Sequence, residues 1–310
     1  MKARFLIIPA IVLAAVACQK EEDNQTETRP VRPEETSGYT LTIEAVKNVD
    51  TKALELENNG GTLTSSWVQD EKVDVYLGGE LMGTLLATPV ASSNNLKATL
   101  TATLDKVTGI QAGSTLTLIF PGREDHLWDY TGQDGSAPTP SGILSTKYDF
   151  AIAEVEIDAI DNNTITPKTG ATFTNQQSIY RFGFKQGDDY IDPIDFTVSA
   201  SGNTIVQSFS YQTDAWTPVL GNSLSVTTPT TKPDGFDHFY YLSLLNQNTT
   251  SNEHYSFKLT GPSNELLMGS KDVAAQHLDQ GKFISMKSIT VSQPSFAPAS
   301  GSISSASEVY

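Results

Sequence analysis

Residues 39–45, YTLTIEA, alternate Tyr39, Leu41, Ile43 and Ala45 with Thr40, Thr42 and Glu44. A strict period of two with β-branched residues describes a strand that turns one face to a core and the other to solvent. The next stretch, KNVDTKALEL, has a polar middle that places Lys47 and Lys52 on the surface before Ala53, Leu54 and Leu56 resume the alternation. Asn59, Gly60 and Gly61 supply the φ > 0 positions of a hairpin into LTSSW, where Trp67 closes an alternating run as a core residue. KVDVYLGGELMGTLLA carries a second hairpin signal at Gly78 and Gly79. LKATLTATL and STLTLIF follow, the latter stopped by Pro121 and Gly122. Asp125 to Gly142, with Trp128, Gly132, Gly135, Pro138 and Pro140, has the composition of a long loop, and strands return in YDFAIAEVEI. No stretch of this half sustains a helical period, so an all-β sandwich is expected.

The tract from Asp158 to Phe173, DAIDNNTITPKTGATF, mixes turn residues with polar ones and is the expected boundary to a second sandwich. Beyond it run SIYRFGFK, DFTVSA, IVQSFSY, SLSVTT, FYYLSLL, YSFKLT and KFISMKSITV. Lys271 to Gln280, KDVAAQHLDQ, has the pattern of one short helix ended near Gly281, with Val273 and Leu278 inward. Residues 293–310 are rich in Ser, Ala and Pro. They form either a tail or a strand awaiting a partner: in ASGSISSASEVY, Ala299, Gly301, Ile303, Ser305, Ser307 and Val309 fall on one face.

At the other end, MKARFLIIPAIVLAAVACQKEED orders charge, an apolar run and small residues as a secretory signal does, and the run is shorter than the roughly 20 residues of a membrane span. Cys18 follows Ala15, Val16 and Ala17 directly and is the one cysteine of the chain. This arrangement resembles a bacterial lipobox, which implies removal of residues 1–17 and acylation of Cys18. Two or more acyl chains anchor a protein stably where one does not. The acidic run Glu21, Glu22 and Asp23 looks like the signal that sends lipoproteins of Bacteroides-type bacteria to the outer face of the outer membrane. Residues 18–38 are rich in Glu, Thr and Pro and nearly devoid of apolar side chains, which suits a tether. Arg29 and Arg32 lie within it, open to a trypsin-like protease.

The formal charge of −16 becomes −18 when Lys2 and Arg4 leave with the signal. So acidic a surface repels phosphate backbones, which sets nucleic acid aside as a partner. The four histidines, His126, His238, His254 and His277, are far apart in sequence and match no metal spacing. No G-x-S-x-G elbow and no phosphate-binding loop occurs, so no catalytic residue, metal or cofactor is expected. His126 reads as a loop residue and His277 as a surface residue. Asp188, Asp189, Asp192 and Asp195, and Asp129 with Asp134, cluster in sequence without the D-x-[DN]-x-[DN]-G order of a calcium loop, and read as solvated turns. Trp128, Tyr130 and Trp216 are left as aromatics able to stack on a sugar or anchor a partner, against the plainer reading that each covers the end of its sandwich.

Several motifs in order carry a wider resemblance: the lipobox, YTLTIEA, the basic residue before Ala-Leu in DTKALEL, GGTLTSSW with EKVDVY, YDFAIA, SIYRFGFK, and the closing LDQGKF with MKSITV. Together they resemble the Bacteroides-type fimbrillin family, the type V pilins, through both halves of the mature chain. The resemblance implies two tandem transthyretin-like β-sandwich domains, here 39–165 and 166–292, followed by the tail 293–310. It also implies a lipoprotein at the cell surface whose N-terminal strand is removed by a trypsin-like protease, with assembly into fimbriae by strand donation among subunits. The basic residue before Ala-Leu makes Lys52 the expected cut, with Arg32 and Lys47 as alternatives; Tyr39, Leu41, Ile43 and Ala45 would then leave. Ile303 and Val309 are the apolar residues a donor tail would offer. The alternative is a surface glycan-binding lipoprotein or a fimbrial tip adhesin with a host or bacterial surface ligand, which saturable polysaccharide binding by monomers would support.

Overall fold

Alternation of inward apolar and outward polar side chains sets strands such as Tyr39–Lys47, Ala151–Asp161, Glu253–Thr260 and Phe283–Ser292, while Ser178–Gln186 and Tyr240–Leu244 are buried along consecutive residues. A computed structural model describes residues 38–47, 55–56, 63–64, 66–137, 142–202, 204–212, 215–229, 238–245, 251–275 and 281–295. The first half contributes β1 (Tyr39–Lys47), β2 (Glu55–Leu56), β3 (Leu63–Thr64), β4 (Lys72–Leu77), β5 (Glu80–Pro89), β6 (Lys97–Leu104), β7 (Thr115–Phe120) and β8 (Leu127–Asp129). A short helix, α1 (Ile143–Lys147), precedes β9 (Ala151–Asp161), β10 (Thr164–Pro167) and β11 (Ala171–Asn175). The remaining strands are β12 (Ser178–Gln186), β13 (Asp189–Ile191), β14 (Asp195–Ala200), β15 (Ile205–Gln212), β16 (Ala215–Gly221) and β17 (Ser223–Thr227). They are followed by β18 (Tyr240–Leu244), β19 (Glu253–Thr260), β20 (Leu266–Val273) and β21 (Phe283–Ser292). The chain is all-β, as its alternation predicts.

The first sheet runs β10-β1-β11-β9-β7-β4-β5-β6, and β1 also pairs with β6, so hydrogen bonding continues round a closed ring. Its interior is filled by Leu41, Ile43, Val73, Val75, Leu100 and Leu118 among others, with Trp67 edge-on to Phe120 and Phe173. The expected hairpin at Gly78 and Gly79 joins β4 to β5, both glycines at positive φ (57° and 79°), where a side chain would be strained. β2 and β3 pair as the other hairpin predicts. The second sheet runs β13-β12-β21-β20-β19-β14-β17, with β18 also on β12, and Phe182, Phe184, Phe196, Tyr240 and Phe257 form a connected aromatic core. Residues 37–310, which hold both sheets, form one compact unit by internal contacts.

Three segments differ from expectation. Asp158 to Phe173 is not a connection: it completes β9, makes β10 and enters β11, all in the first sheet, and the chain changes sheets at residues 176–177. Of the polar residues there, Asp158, Asp161, Thr164, Thr166 and Thr172 lie on the solvent side of strands, while Asn162 and Asn163, both at positive φ, make the tight turn between β9 and β10. Lys271 to Val273 end β20 and do not begin a helix; residues 276–280, with His277 and Leu278, lie outside the described part. The loop at 125–142 contains β8, which pairs with β15 of the second half, and β16 completes a three-stranded sheet.

That small sheet covers a third core, which includes Tyr76, Trp128, Tyr130, Phe150, Phe209 and Tyr211. Trp128 stacks on Phe209 at 5.1 Å between ring centroids and 3° between planes. Gln133, buried, donates through Nε2 to the Tyr130 and Ser243 carbonyls at 3.0 and 2.8 Å and accepts from the Ser243 N–H at 2.7 Å. The first half is thereby tied to β18 of the second.

Candidate functional site

β1 is the strand that closes the first ring. Along one side it pairs antiparallel with β6 from Tyr39↔Leu104 to Val46↔Lys97. Along the other it pairs parallel with β10 at Thr40 and Leu41, and with β11 from Ala45 to Lys47. Leu41, Ile43 and Ala45 are fully buried and Tyr39 partly so, which matches the inward row read from the sequence. Withdrawing this one strand would bare the edge of β6 on one side and of β10 and β11 on the other. The strand is followed by residues 48–54, which contain Lys52, and then by β2.

The row continues one step further than expected. Lys47, placed on the surface by the sequence reading, is only 3% exposed, because it shares the parity of Leu41, Ile43 and Ala45 and so points inward. Its Nζ lies 3.3 Å from Glu71 Oε2 and 3.9 Å from Asp149 Oδ2. It also stands 3.8 Å from the Phe120 ring centroid and 4.4 Å from that of Trp67, within cation–π range. Asp149 precedes β9 and is likewise buried; its Oδ1 accepts from Gln177 Nε2 at 2.9 Å. Burial raises the Asp149 carboxyl to about 6, outweighing the opposing pull of Lys47 and of the Gln177 hydrogen bond. As a protease site Lys47 is sealed in the folded chain. Glu71 and Asp149 carry no motif that marks them in the sequence; the parity of residues 39–47 is the signal that locates Lys47.

The other sequence candidates fall elsewhere. Trp128 and Tyr130, read as aromatics able to reach a sugar or partner, are 1% and 2% exposed in the third core, so the plainer structural role holds for both. Trp216 on β16 is 37% exposed, packed against Tyr211, Phe209 and Phe150. It stands at a pocket of about 190 Å³ lined by Phe150, Phe209, Pro218, Gln176 and Leu245 as well. His126 Nδ1 meets the Tyr76 hydroxyl at 2.7 Å, His238 pairs with Asp192 at 3.0 Å, and His254 with Asp272 at 2.6 Å. Asp129 and Asp134 accept from Thr131 and Ser136 in turns of their own making. Among the described residues no three His, Cys, Asp or Glu side chains gather in a metal-binding group. Cys18, Arg32, Lys52, Ile303 and Val309 lie outside the described residues.

No family model and no curated protein matches the sequence. Among solved structures, the chain is similar to a proposed cell adhesion protein of Bacteroides uniformis at 17% identity and a TM-score of 0.42, over 83% of this chain and 99% of that one. A second proposed cell adhesion protein, from Bacteroides ovatus, is 11% identical with a TM-score of 0.44, over 83% and 96%. A fimbrial protein of Bacteroides ovatus is 10% identical with a TM-score of 0.36, over 82% of this chain and 50% of that one.

Proposed function

We propose that this chain is a structural subunit of a surface fimbria, exported as a lipoprotein, assembled by proteolysis-triggered strand exchange and serving cell adhesion. The observation that carries the reading is the place of β1: the first strand among the described residues closes the ring, and a polar stretch with a basic residue follows it. A cut after Lys52 frees β1. Leu41 and Ile43 alone contribute about 3 to 6 kcal/mol of buried apolar surface, against a whole-domain stability of about 5 to 15 kcal/mol. Losing β1 therefore removes a large share of that stability, and the two bared edges recruit another strand. In this reading the chain forms two transthyretin-like β-sandwich domains, its partners are other fimbrial subunits and a trypsin-like maturation protease, Arg32 is the alternative cut, and Ile303 and Val309 belong to a donor tail. No residue is assigned a catalytic role.

Two measurements test it. N-terminal sequencing of protein taken from surface polymers is expected to begin at Ala53, and any other start refutes the site. Metabolic labelling with a fatty-acid analogue is expected to mark the wild type and not Cys18→Ser, which should also leave the membrane fraction. Persistent labelling of the variant would refute the lipid anchor.

A further inference from the structure

We infer that the groove vacated by β1 selects its next strand by charge: the incoming segment carries a lysine or arginine where Lys47 now sits, and it comes from a different subunit, not from the tail of a second copy of this chain. The inference rests on the strand-exchange reading above and adds the chemistry of the partner.

The site for that cation is built independently of β1. Glu71 Oε2 accepts from the Val68 N–H at 3.0 Å, and the Glu71 backbone is held by Ala87 N donating to its carbonyl at 2.9 Å. Asp149 is held by Gln177, whose Oε1 in turn accepts from the Phe150 N–H at 3.0 Å and whose carbonyl accepts from Gly281 N at 3.1 Å. Trp67 and Phe120, the rings against Lys47, brace each other edge-on with centroids 5.5 Å apart. None of these contacts uses β1. When the strand leaves, two carboxylates and two ring faces remain in place at the end of the groove beside β11. The cation that acts on Asp149 leaves with the strand.

An apolar residue entering there would strand a buried carboxylate without its counter-charge, and an acidic one would add repulsion. The positions of Leu41, Ile43 and Ala45 ask for an apolar row and so supply affinity, whereas the cation position asks for a charge. The cation position supplies register as well, since a slip by one residue turns every side chain to the opposite face. From Ser288 to Tyr310 this chain has no Lys, Arg or His, and its one charge there is Glu308. No register of residues 288–310 places a cation on Glu71 and Asp149. The tail suits a groove without an acidic end, and this groove suits another subunit's strand.

The test uses the full mature chain, nicked after Lys52 by trypsin that is then inhibited, and an excess of fluorescent synthetic peptides read by anisotropy. The peptides are residues 39–47 as they stand, the same with Lys47→Arg, Lys47→Gln or Lys47→Glu, and residues 299–310. The parent and the arginine peptide are expected to bind alike. The glutamine peptide should bind at least about tenfold more weakly, the size of one lost charge-assisted contact. The glutamate and tail peptides should show no binding. In Asp149→Asn protein the gap between the lysine and glutamine peptides should shrink. Binding of the glutamine or tail peptide within about threefold of the parent overturns the inference and leaves strand exchange standing, whereas no binding by any peptide, the parent included, overturns strand exchange and the inference together.

Discussion

Replacing Lys47 by methionine is expected to lower the free energy of unfolding by about 3 to 5 kcal/mol at pH 8, and by clearly less at pH 5. Methionine keeps the apolar stem between Trp67 and Phe120 but removes the charge. Glu71 keeps 22% of its side chain in solvent and can hydrate, whereas Asp149 keeps 3% and cannot. Asp149 must then hold its charge unpaired or take a proton. In the wild type its folded value, about 6, already lies above the ordinary 3.8. The folded chain therefore binds this proton more tightly than the unfolded chain. Stability from this group is greatest below the unfolded value, falls by about 3 kcal/mol as pH rises through the interval up to 6, and is flat above it. Asp74, raised by burial against the hydrogen bonds of Thr84 and Arg123, adds a slope of the same sign. Losing Lys47 removes the main influence holding Asp149 down, so in the variant the fall extends above pH 6. At pH 5 the carboxyl is largely protonated in both proteins and the difference narrows. Urea unfolding of both at pH 5 and 8 measures it; an equal loss at the two pH values would mean that Lys47 acts through packing and not through charge.

Local alternation was legible and long-range register was not. Leu41, Ile43 and Ala45 were placed inward by period alone, and Trp67 was rightly put in the core, because each signal lies within a few residues. Nothing in YTLTIEA announces that its parallel neighbours are β10 and β11, more than a hundred residues on, and the ring closure rests on that pairing. The charge of Lys47 points to the surface and its parity to the interior, and the row that buries Leu41 buries it too. Trp128 and Tyr130 lie in a stretch rich in turn residues; their burial depends on Phe209, about eighty residues away, whose ring packs against both. β16 was hidden by Pro218, which a strand tolerates here because β16 lies at the edge of its sheet. The pair of carboxylates facing Lys47, Glu71 with Asp149, has no sequence spacing at all. It exists only after β9 and the turn before β4 have been brought to the end of β1.

Truncating Trp128 to alanine is expected to cost about 3 to 5 kcal/mol, the range for a large aromatic removed from a packed interior, and to divide one thermal transition into two. Trp128 is fully enclosed by Phe209, Phe150 and Trp216, with centroids 5.1, 5.6 and 6.1 Å away. It belongs to β8, a strand of only three residues whose pairing partner, β15, comes from the second half. So short a strand holds its register mainly through the side chain it buries. Without that ring the Phe209 face is open, the Leu127–Asp129 pairing loses its anchor, and the third core no longer spans the two halves. Each sheet keeps its own interior, around Leu100 in the first and Phe257 in the second, so each retains the means to unfold as a unit. Calorimetry on wild type and variant decides the matter. Two resolved transitions in Trp128→Ala would identify the aromatic cluster as the coupling between the sheets. A loss of the same size with one transition retained would assign that coupling to the backbone bonds of β8 with β15 and to Gln133, which holds the Tyr130 and Ser243 carbonyls whether or not the indole is present.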